Sequence, residues 1–248
     1  MDIQAYLKRI KAPENINVDL ESLRKLQQAH LFHVPFENLD VMRREPIYLN
    51  TEHMYKKIVE SNRGGYCYEV NGLFHWALSA LGFNASLGSA TVRRPQGYWA
   101  KEDTHMIIFV KIENAIYLTD VGFGDSNYHS IPLDGSEQAD ASGTYKVIEA
   151  DETWYHLTRQ NEEGWAPLYR FQLKEKQLID FHEGIVFNQV SPGSSFTHHD
   201  LVTKATPTGR ITLRDQTLIT KENGIIEKAD LTDKEKAQVL LNTFNIQI

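Results

Sequence analysis

Cysteine is nearly absent from this chain: one residue in 248, Cys67. A lone thiol forms no internal disulfide and excludes any cysteine-rich metal site. Long apolar runs are missing too, so no segment approaches the roughly 20 residues of a membrane-spanning helix. The start, Met1-Asp2-Ile3-Gln4-Ala5-Tyr6-Leu7, lacks the charged and apolar regions of a secretion signal. A cytoplasmic protein without membrane partners is therefore expected. Positive charge is in deficit: 26 Lys and Arg stand against 33 Asp and Glu, a formal net charge of −7. That balance argues against nucleic acid or an anionic membrane surface as partner. Internal repeats and low-complexity tracts are also lacking. Histidine is not scarce, but His30, His33, His198 and His199 match no strong zinc spacing, so no metal is expected.

What remains is an ordinary globular composition, 41% hydrophobic, in a chain long enough for one large domain or two to three small ones. Helical patterns come first. Tyr6, Leu7 and Ile10 share a face ahead of Pro13. Leu20, Leu23, Leu26 and Leu31 mark a second helix with Asp19 near its start. Pro35 biases Val34 away from helix, so the stretch from His33 to Leu39 reads as an ordered loop. Thr51 is placed to cap a third helix carrying Tyr55, Ile58 and Val59. Beyond Gly82 strand signals take over: a mixed segment from Ala85 to Val92, the run from His105 to Ile112, its return over Ala115–Val121, then Tyr145–Ala150, Trp154–Arg159 and Trp165–Leu173. Short strands at regular spacing suggest a barrel or sandwich. Gly135–Gly143 reads as an exposed loop. Ser191-Pro192-Gly193-Ser194-Ser195 punctuates the chain, and four short alternating strands follow. Thr232 is placed to cap a closing helix from Asp233 to Phe244. The expectation is an α+β protein in three regions, 1–84, 85–190 and 191–248.

The most informative stretch is Arg63-Gly64-Gly65-Tyr66-Cys67-Tyr68-Glu69-Val70-Asn71-Gly72-Leu73-Phe74. Two glycines allow a sharp bend. Apolar residues at 70, 73, 74, 77, 78 and 81 then follow helical spacing, and Gly82 ends the helix. Cys67 thus falls in a first helical turn, where free amides and the helix dipole favour a thiolate. A thiolate nucleophile needs a base, and the base an orienting group. His105 opens a buried-looking strand. A hairpin turning at Glu113-Asn114 sets Asp120 beside Ile107, two residues from His105 on the same face. One hairpin end can then hold both side chains.

These residues resemble the arylamine N-acetyltransferases. Residues 63–74 look like that family's active-site cysteine motif, Pro35-Phe36-Glu37-Asn38-Leu39 like its upstream loop, and Asp120-Val121-Gly122-Phe123-Gly124 like its third signature, with Thr104-His105-Met106 where the family carries its histidine. The resemblance extends over residues 1 to about 200. It implies an N-terminal helical bundle, a central antiparallel β-barrel and a C-terminal α/β lid on a cysteine-protease-like core. It implies a Cys67–His105–Asp120 triad, acetyl-CoA as acyl donor and an arylamine or hydrazine as acceptor. Phe36, Val92 and Phe123 would line the acceptor pocket. Arg63 would pair with a buried Glu37 as a bidentate ion pair, and Asn71, one turn beyond Cys67, would hydrogen-bond Asp120. Other readings of the same thiol are a transglutaminase- or protease-like acyl hydrolase, a biosynthetic amide synthase, and a non-catalytic redox sensor. The acyl donor separates the first from the transferase, and a redox sensor gains nothing from His105 and Asp120.

Overall fold

The computed structural model describes residues 1–125 and 127–247. Helix α1 (Ile3–Ile10) starts at Asp2, whose carboxylate accepts the Gln4 amide, and ends on Lys11 in the left-handed region, ahead of Pro13. Helix α2 (Leu20–His33) starts at Asp19, which accepts from Ser22. Residues 36–37 of the expected loop form a short strand, β1 (Phe36–Glu37), followed by one turn of helix, α3 (Leu39–Arg43). Helix α4 (Thr51–Tyr55) is capped by Asn50 rather than Thr51, because the Asn50 carboxamide oxygen takes the amides of both Glu52 and His53. It runs into a π-helical turn over Lys56–Glu60. Helix α5 (Cys67–Ala80) is buried at every position from 67 to 74, and Gly82 turns the chain out at φ +90°. Burial on every side over these two turns places the start of the helix in the centre of the molecule.

The central sheet follows: β2 (Asn84–Val92), β3 (His105–Ile112), β4 (Ala115–Thr119), β5 (Ile131–Pro132), β6 (Gln138–Asp140), β7 (Gly143–Glu149), β8 (Tyr155–Asn161) and β9 (Gly164–Phe171). Their spatial order is β5-β4-β3-β2-β9-β8-β7-β6, with every pairing antiparallel. Strand β5 returns against β7, so the sheet curls into a nearly closed barrel. Ile107 and Phe109 point into the barrel with Leu118, Leu157, Tyr169 and Phe171. Met106, Ile108 and Val110 point out of it, onto α5. Strand β3 is thus buried on both faces, which is why its sequence is an unbroken apolar run rather than an alternation. The hairpin register pairs Ile108 with Thr119 and Ile112 with Ala115, as a turn at Glu113-Asn114 requires.

A single 3₁₀ turn (Leu178–Phe181) leads into α6 (His182–Val190), an element the sequence pattern does not suggest. The second sheet consists of β10 (Leu201–Thr206), β11 (Gly209–Arg214), β12 (Thr217–Glu222) and β13 (Ile225–Asp230). Its order is β1-β10-β11-β12-β13, so the early strand β1 forms one edge. Helix α7 (Asp233–Phe244) is capped by Thr232 and buries Leu240 and Phe244 among Leu39, Val202 and Leu213.

A cluster of charges holds β1, α3, the π-helical turn and the start of α5 together. Arg63 Nε and Nη2 both donate to Glu37 Oε1, at 3.0 and 2.7 Å. The expected two-oxygen fork is not formed, because Glu37 Oε2 accepts the Leu39 amide at the head of α3. Arg63 Nη2 also reaches Asp40. Lys57, from the π turn, sits 2.7 Å from Asp40 and 2.8 Å from Glu69. Burial pushes the Glu69 carboxyl up to about 7, against the pull of Lys57. The Glu37 side chain is fully buried and that of Arg63 is 15% exposed. Removing one member of a buried pair strands the other and costs about 3–5 kcal/mol. Lys57 remains near Glu37, so Arg63→Ala is expected to destabilise by the lower part of that range in urea unfolding. A change of less than about 1 kcal/mol, the worth of an exposed pair, would mean that the cluster does not hold these elements.

Candidate active site

Cys67 is the first residue of α5, and the chain approaching it is fixed by close contacts. A Cβ on Gly64 would lie 2.0 Å from the Pro35 carbonyl oxygen, and one on Gly65 2.7 Å from the Glu69 side chain. Neither glycine has a left-handed backbone; both are needed because other atoms come so near. Glu37 N–H donates to the Gly65 carbonyl, and Gly65 N–H to that of Pro35. Glu69 accepts the Tyr66 amide, stapling the helix start.

His105 opens β3 and Asp120 follows β4, so the hairpin delivers both to one end. His105 Nε2 lies 2.7 Å from Asp120 Oδ2, and both side chains are buried. The carboxylate collects three further donors. Tyr169 Oη donates to Oδ2 at 3.1 Å, while Asn71 Nδ2 and the Gly122 amide donate to Oδ1 at 2.9 and 2.7 Å. Asn71 also donates to the Met106 carbonyl and accepts the Val121 amide, so one α5 side chain ties the helix to both strands of the hairpin. A Cβ on Gly122 would lie 2.8 Å from Cys67 Cα, and its absence lets the chain after Asp120 lie against the helix start.

The electrostatics follow from this geometry. Burial alone would raise the Asp120 carboxyl, but the His105 ring and the Asn71 and Gly122 donors outweigh it and hold it below the ordinary carboxylate range. Burial works against charge on His105, yet the Asp120 charge, the hydrogen bond to it and a hydrogen bond with Cys67 push the imidazole up to about 10. Since Nε2 serves Asp120, the thiol falls to the other ring nitrogen. The array is a thiol, an imidazole that readily holds a proton, and a carboxylate that keeps it oriented.

The pocket above Cys67 has a volume of about 160 Å³. Phe36, Val92 and Phe123 all line it, with Phe196 and Leu201 from the second sheet and its approach. The Phe123 ring lies edge-on to His105 at 5.5 Å. Three residues at the site carry no mark in the sequence. Tyr169 reads as one residue within a strand, Phe196 follows a loop signal, and Asn188 lies on the unforeseen α6. Asn188 donates to the Thr104 carbonyl at 3.1 Å and to Tyr68 Oη at 3.2 Å. Among the described residues no group of three His, Cys, Asp or Glu side chains gathers as metal ligands would. His30 hydrogen-bonds Tyr6 in the core, His198 meets the Pro192 carbonyl, and His199 pairs with Asp215. No helix among the described residues is long and apolar enough to cross a membrane.

Known proteins bear out the class. The N-acetyltransferase family model matches residues 19–248. Arylamine N-acetyltransferase 1 of Homo sapiens is 31% identical over all of this chain and 95% of its own length. The pineal gland isozyme of Gallus gallus is 33% identical with the same coverage. Among solved structures, an arylamine N-acetyltransferase of Bacillus cereus superposes with a TM-score of 0.93 at 27% identity, covering 100% of both chains. That of Salmonella typhimurium gives 0.93 at 29%, covering 98% of this chain and 90% of its own. Fold and site together thus define an N-acetyltransferase. The chain belongs to the arylamine N-acetyltransferase family. The B. cereus protein is described as having a Cys-His-Glu triad; here the carboxylate on the histidine is that of Asp120.

The His105–Asp120 pair has a consequence for stability. Folded His105 keeps its proton up to about pH 10, whereas an unfolded histidine loses it near about 6.5. Between those values the folded state binds more protons, so this contribution to stability is present at lower pH and is lost as pH rises. Asp120→Asn removes the charge that holds the proton. Urea unfolding across that window is expected to show a shallower pH slope for Asp120→Asn than for the wild type, whatever their absolute stabilities. Parallel slopes would contradict the pairing.

Proposed function

We propose that this protein acetylates arylamines and hydrazines by a ping-pong mechanism with acetyl-CoA as donor substrate, Cys67 carrying the acetyl group. The observation that carries the reading is the convergence of Cys67, His105 and Asp120 beneath an aromatic-walled pocket.

In the first half-reaction the Cys67 thiolate, paired with the His105 imidazolium, attacks the thioester carbonyl carbon of acetyl-CoA. The carbonyl electron pair moves to oxygen. Backbone amides at the start of α5 stabilise that developing negative charge in this reading. When the tetrahedral species collapses, the bond to the CoA sulfur breaks and His105 gives the departing thiolate its proton. In the second half-reaction the amine nitrogen attacks the acetyl-cysteine carbonyl. Neutral His105 takes the amine proton, the bond to Cys67 sulfur breaks, and the N-acetyl product leaves a thiolate–imidazolium pair behind. Asp120 fixes the tautomer and stabilises the imidazolium in both directions. An arylamine suits this step because its low basicity leaves it unprotonated at neutral pH.

Two measurements test the proposal. Initial rates with acetyl-CoA and an arylamine varied together are expected to give parallel double-reciprocal lines; intersecting lines would rule out a free acetyl-enzyme. Cys67→Ser is expected to keep its fold by circular dichroism and to lose acetyl transfer by several orders of magnitude, since a hydroxyl supplies almost no anion at neutral pH. Turnover near the wild-type rate in that variant would end the covalent mechanism.

A further inference from the structure

One polar group beside the thiol has no part in the acyl-transfer steps. Cys67 Sγ lies 4.0 Å from the Thr104 carbonyl oxygen, within reach of the weak hydrogen bond that a thiol donates. Donated to a peptide oxygen, the proton stays on sulfur, because a carbonyl is not a base. The bond then favours the neutral thiol over the anion. Once a thiolate forms, the negative end of the same carbonyl dipole faces it and opposes its charge. His105, by contrast, takes the proton and stabilises the anion that results. A free carbonyl at this position works against the nucleophile.

The carbonyl is not free. Tyr68 Oη donates to it at 3.0 Å and Asn188 Nδ2 at 3.1 Å, which matches its two lone pairs. Each donor is itself held. Asn188 Nδ2 also donates to Tyr68 Oη at 3.2 Å, and Ser194 Oγ donates to Asn188 Oδ1 at 3.1 Å, which fixes the way the carboxamide faces. Tyr68, Thr104, Asn188 and Ser194 are all buried. Helix α6 is shaped to this contact. Gly184 and Asn188 lie one turn apart on it, on the same face. A Cβ on Gly184 would stand 2.5 Å from Tyr68 Oη and 2.8 Å from the Asp103 carbonyl oxygen. The glycine lets α6 close onto the tyrosine and onto the chain leading into His105, and the asparagine then reaches the carbonyl.

We propose that Tyr68 and Asn188 are positioning residues of the acyl transfer: by saturating the Thr104 carbonyl they keep it from holding the Cys67 proton, so that the thiol ionises toward His105. The inference rests on the reading of Cys67 as acetyl carrier. Around the thiol, His105 carries the positive charge with Asp120 behind it, and burial keeps Tyr66 and Tyr68 neutral. Glu69 is taken up by Lys57, Asp103 by Lys176, and Glu183 of α6 by Lys101. None of these charges changes in Tyr68→Phe or Asn188→Ala, so an altered ionisation in those variants reports the carbonyl.

The test is the rate of alkylation of Cys67 by iodoacetamide, followed by intact mass from well below to well above the ordinary thiol value of about 8.5. Wild type, Tyr68→Phe, Asn188→Ala and the double variant are compared; the chain has no other thiol. Tyr68→Phe removes one oxygen and keeps the ring packed between Tyr66 and Phe181, so at least this variant folds. At the acid end each single variant is expected to react about threefold or more slowly than wild type, and the double variant about tenfold or more, the worth of one and of two hydrogen bonds. At the alkaline end, where the thiol is ionised whatever its neighbours, the four rates converge. Acetylation by acetyl-CoA without acceptor, followed in the same way, is expected to shift along the same pH axis. Superimposable alkylation profiles would overturn the proposal. So would a deficit of the same size at every pH, which assigns the two residues to packing or access alone. Wild-type protein that alkylates as described but takes no acetyl group from acetyl-CoA would overturn the reading of Cys67 as acetyl carrier, and the positioning role with it.

Discussion

The Asp120 carboxylate is the group on which both the packing of the barrel against α5 and the proposed chemistry depend. A charge withdrawn this far from water persists only if its oxygens are paired and hydrogen-bonded. Here four donors reach it: His105, Tyr169, Asn71 and the Gly122 amide. They come from β3, β9, α5 and the chain just beyond β4. Any displacement of the barrel against α5 leaves this carboxylate short of partners. One of the four bonds orients the His105 imidazole, so in the proposed mechanism the contacts that register helix on barrel also register the thiol on its base.

A second buried network does for the approach to Cys67 what Asp120 does for its far side. Glu37, Asp40 and Glu69 share Lys57 and Arg63. Glu37 belongs to β1, an edge strand of the second sheet, while Glu69 belongs to the first turn of α5. The pocket wall Phe36 is therefore carried on a strand whose next residue, Glu37, is tied through Lys57 and Arg63 to the start of the Cys67 helix. Phe196 packs on Phe36 from the opposite side, with ring centroids 6.0 Å apart. The pocket thus has rigid walls although its residues come from widely separated parts of the chain.

The long elements are legible in the sequence because each buries a stripe or a full face. The spacing over 67–81 marks α5, and the apolar run over 105–112 marks β3. The hairpin register can be deduced because the turn at Glu113-Asn114 fixes it, and with it the approach of Asp120 to His105. Elements made by tertiary pairing are not legible. Strand β1 exists through β10, with Phe36 opposite Thr203 and Glu37 opposite Val202 far along the chain, and β5 and β6 are two and three residues long. Helix α6 is short, and its Gly184 is required not by helix formation but by the approach of Tyr68 Oη, which lies 2.5 Å from where a Cβ would stand. In the same way the glycines at 64 and 65 suggest a sharp bend, whereas they answer to crowding. Tyr169, Asn188 and Phe196 escape because no local pattern marks a side chain whose partner lies on another element, and the ion pair of Arg63 is one bond of a five-residue cluster.

The acyl-transfer account requires one chemical event before any acceptor is present. Intact-mass measurement of the protein mixed with acetyl-CoA alone, followed by peptide mapping and then by addition of an arylamine, tests it most directly. The account predicts a single acetyl group on Cys67, the only cysteine in the chain, and its discharge when the amine is added. An unmodified protein, or an acetyl group elsewhere that the amine does not remove, would contradict it.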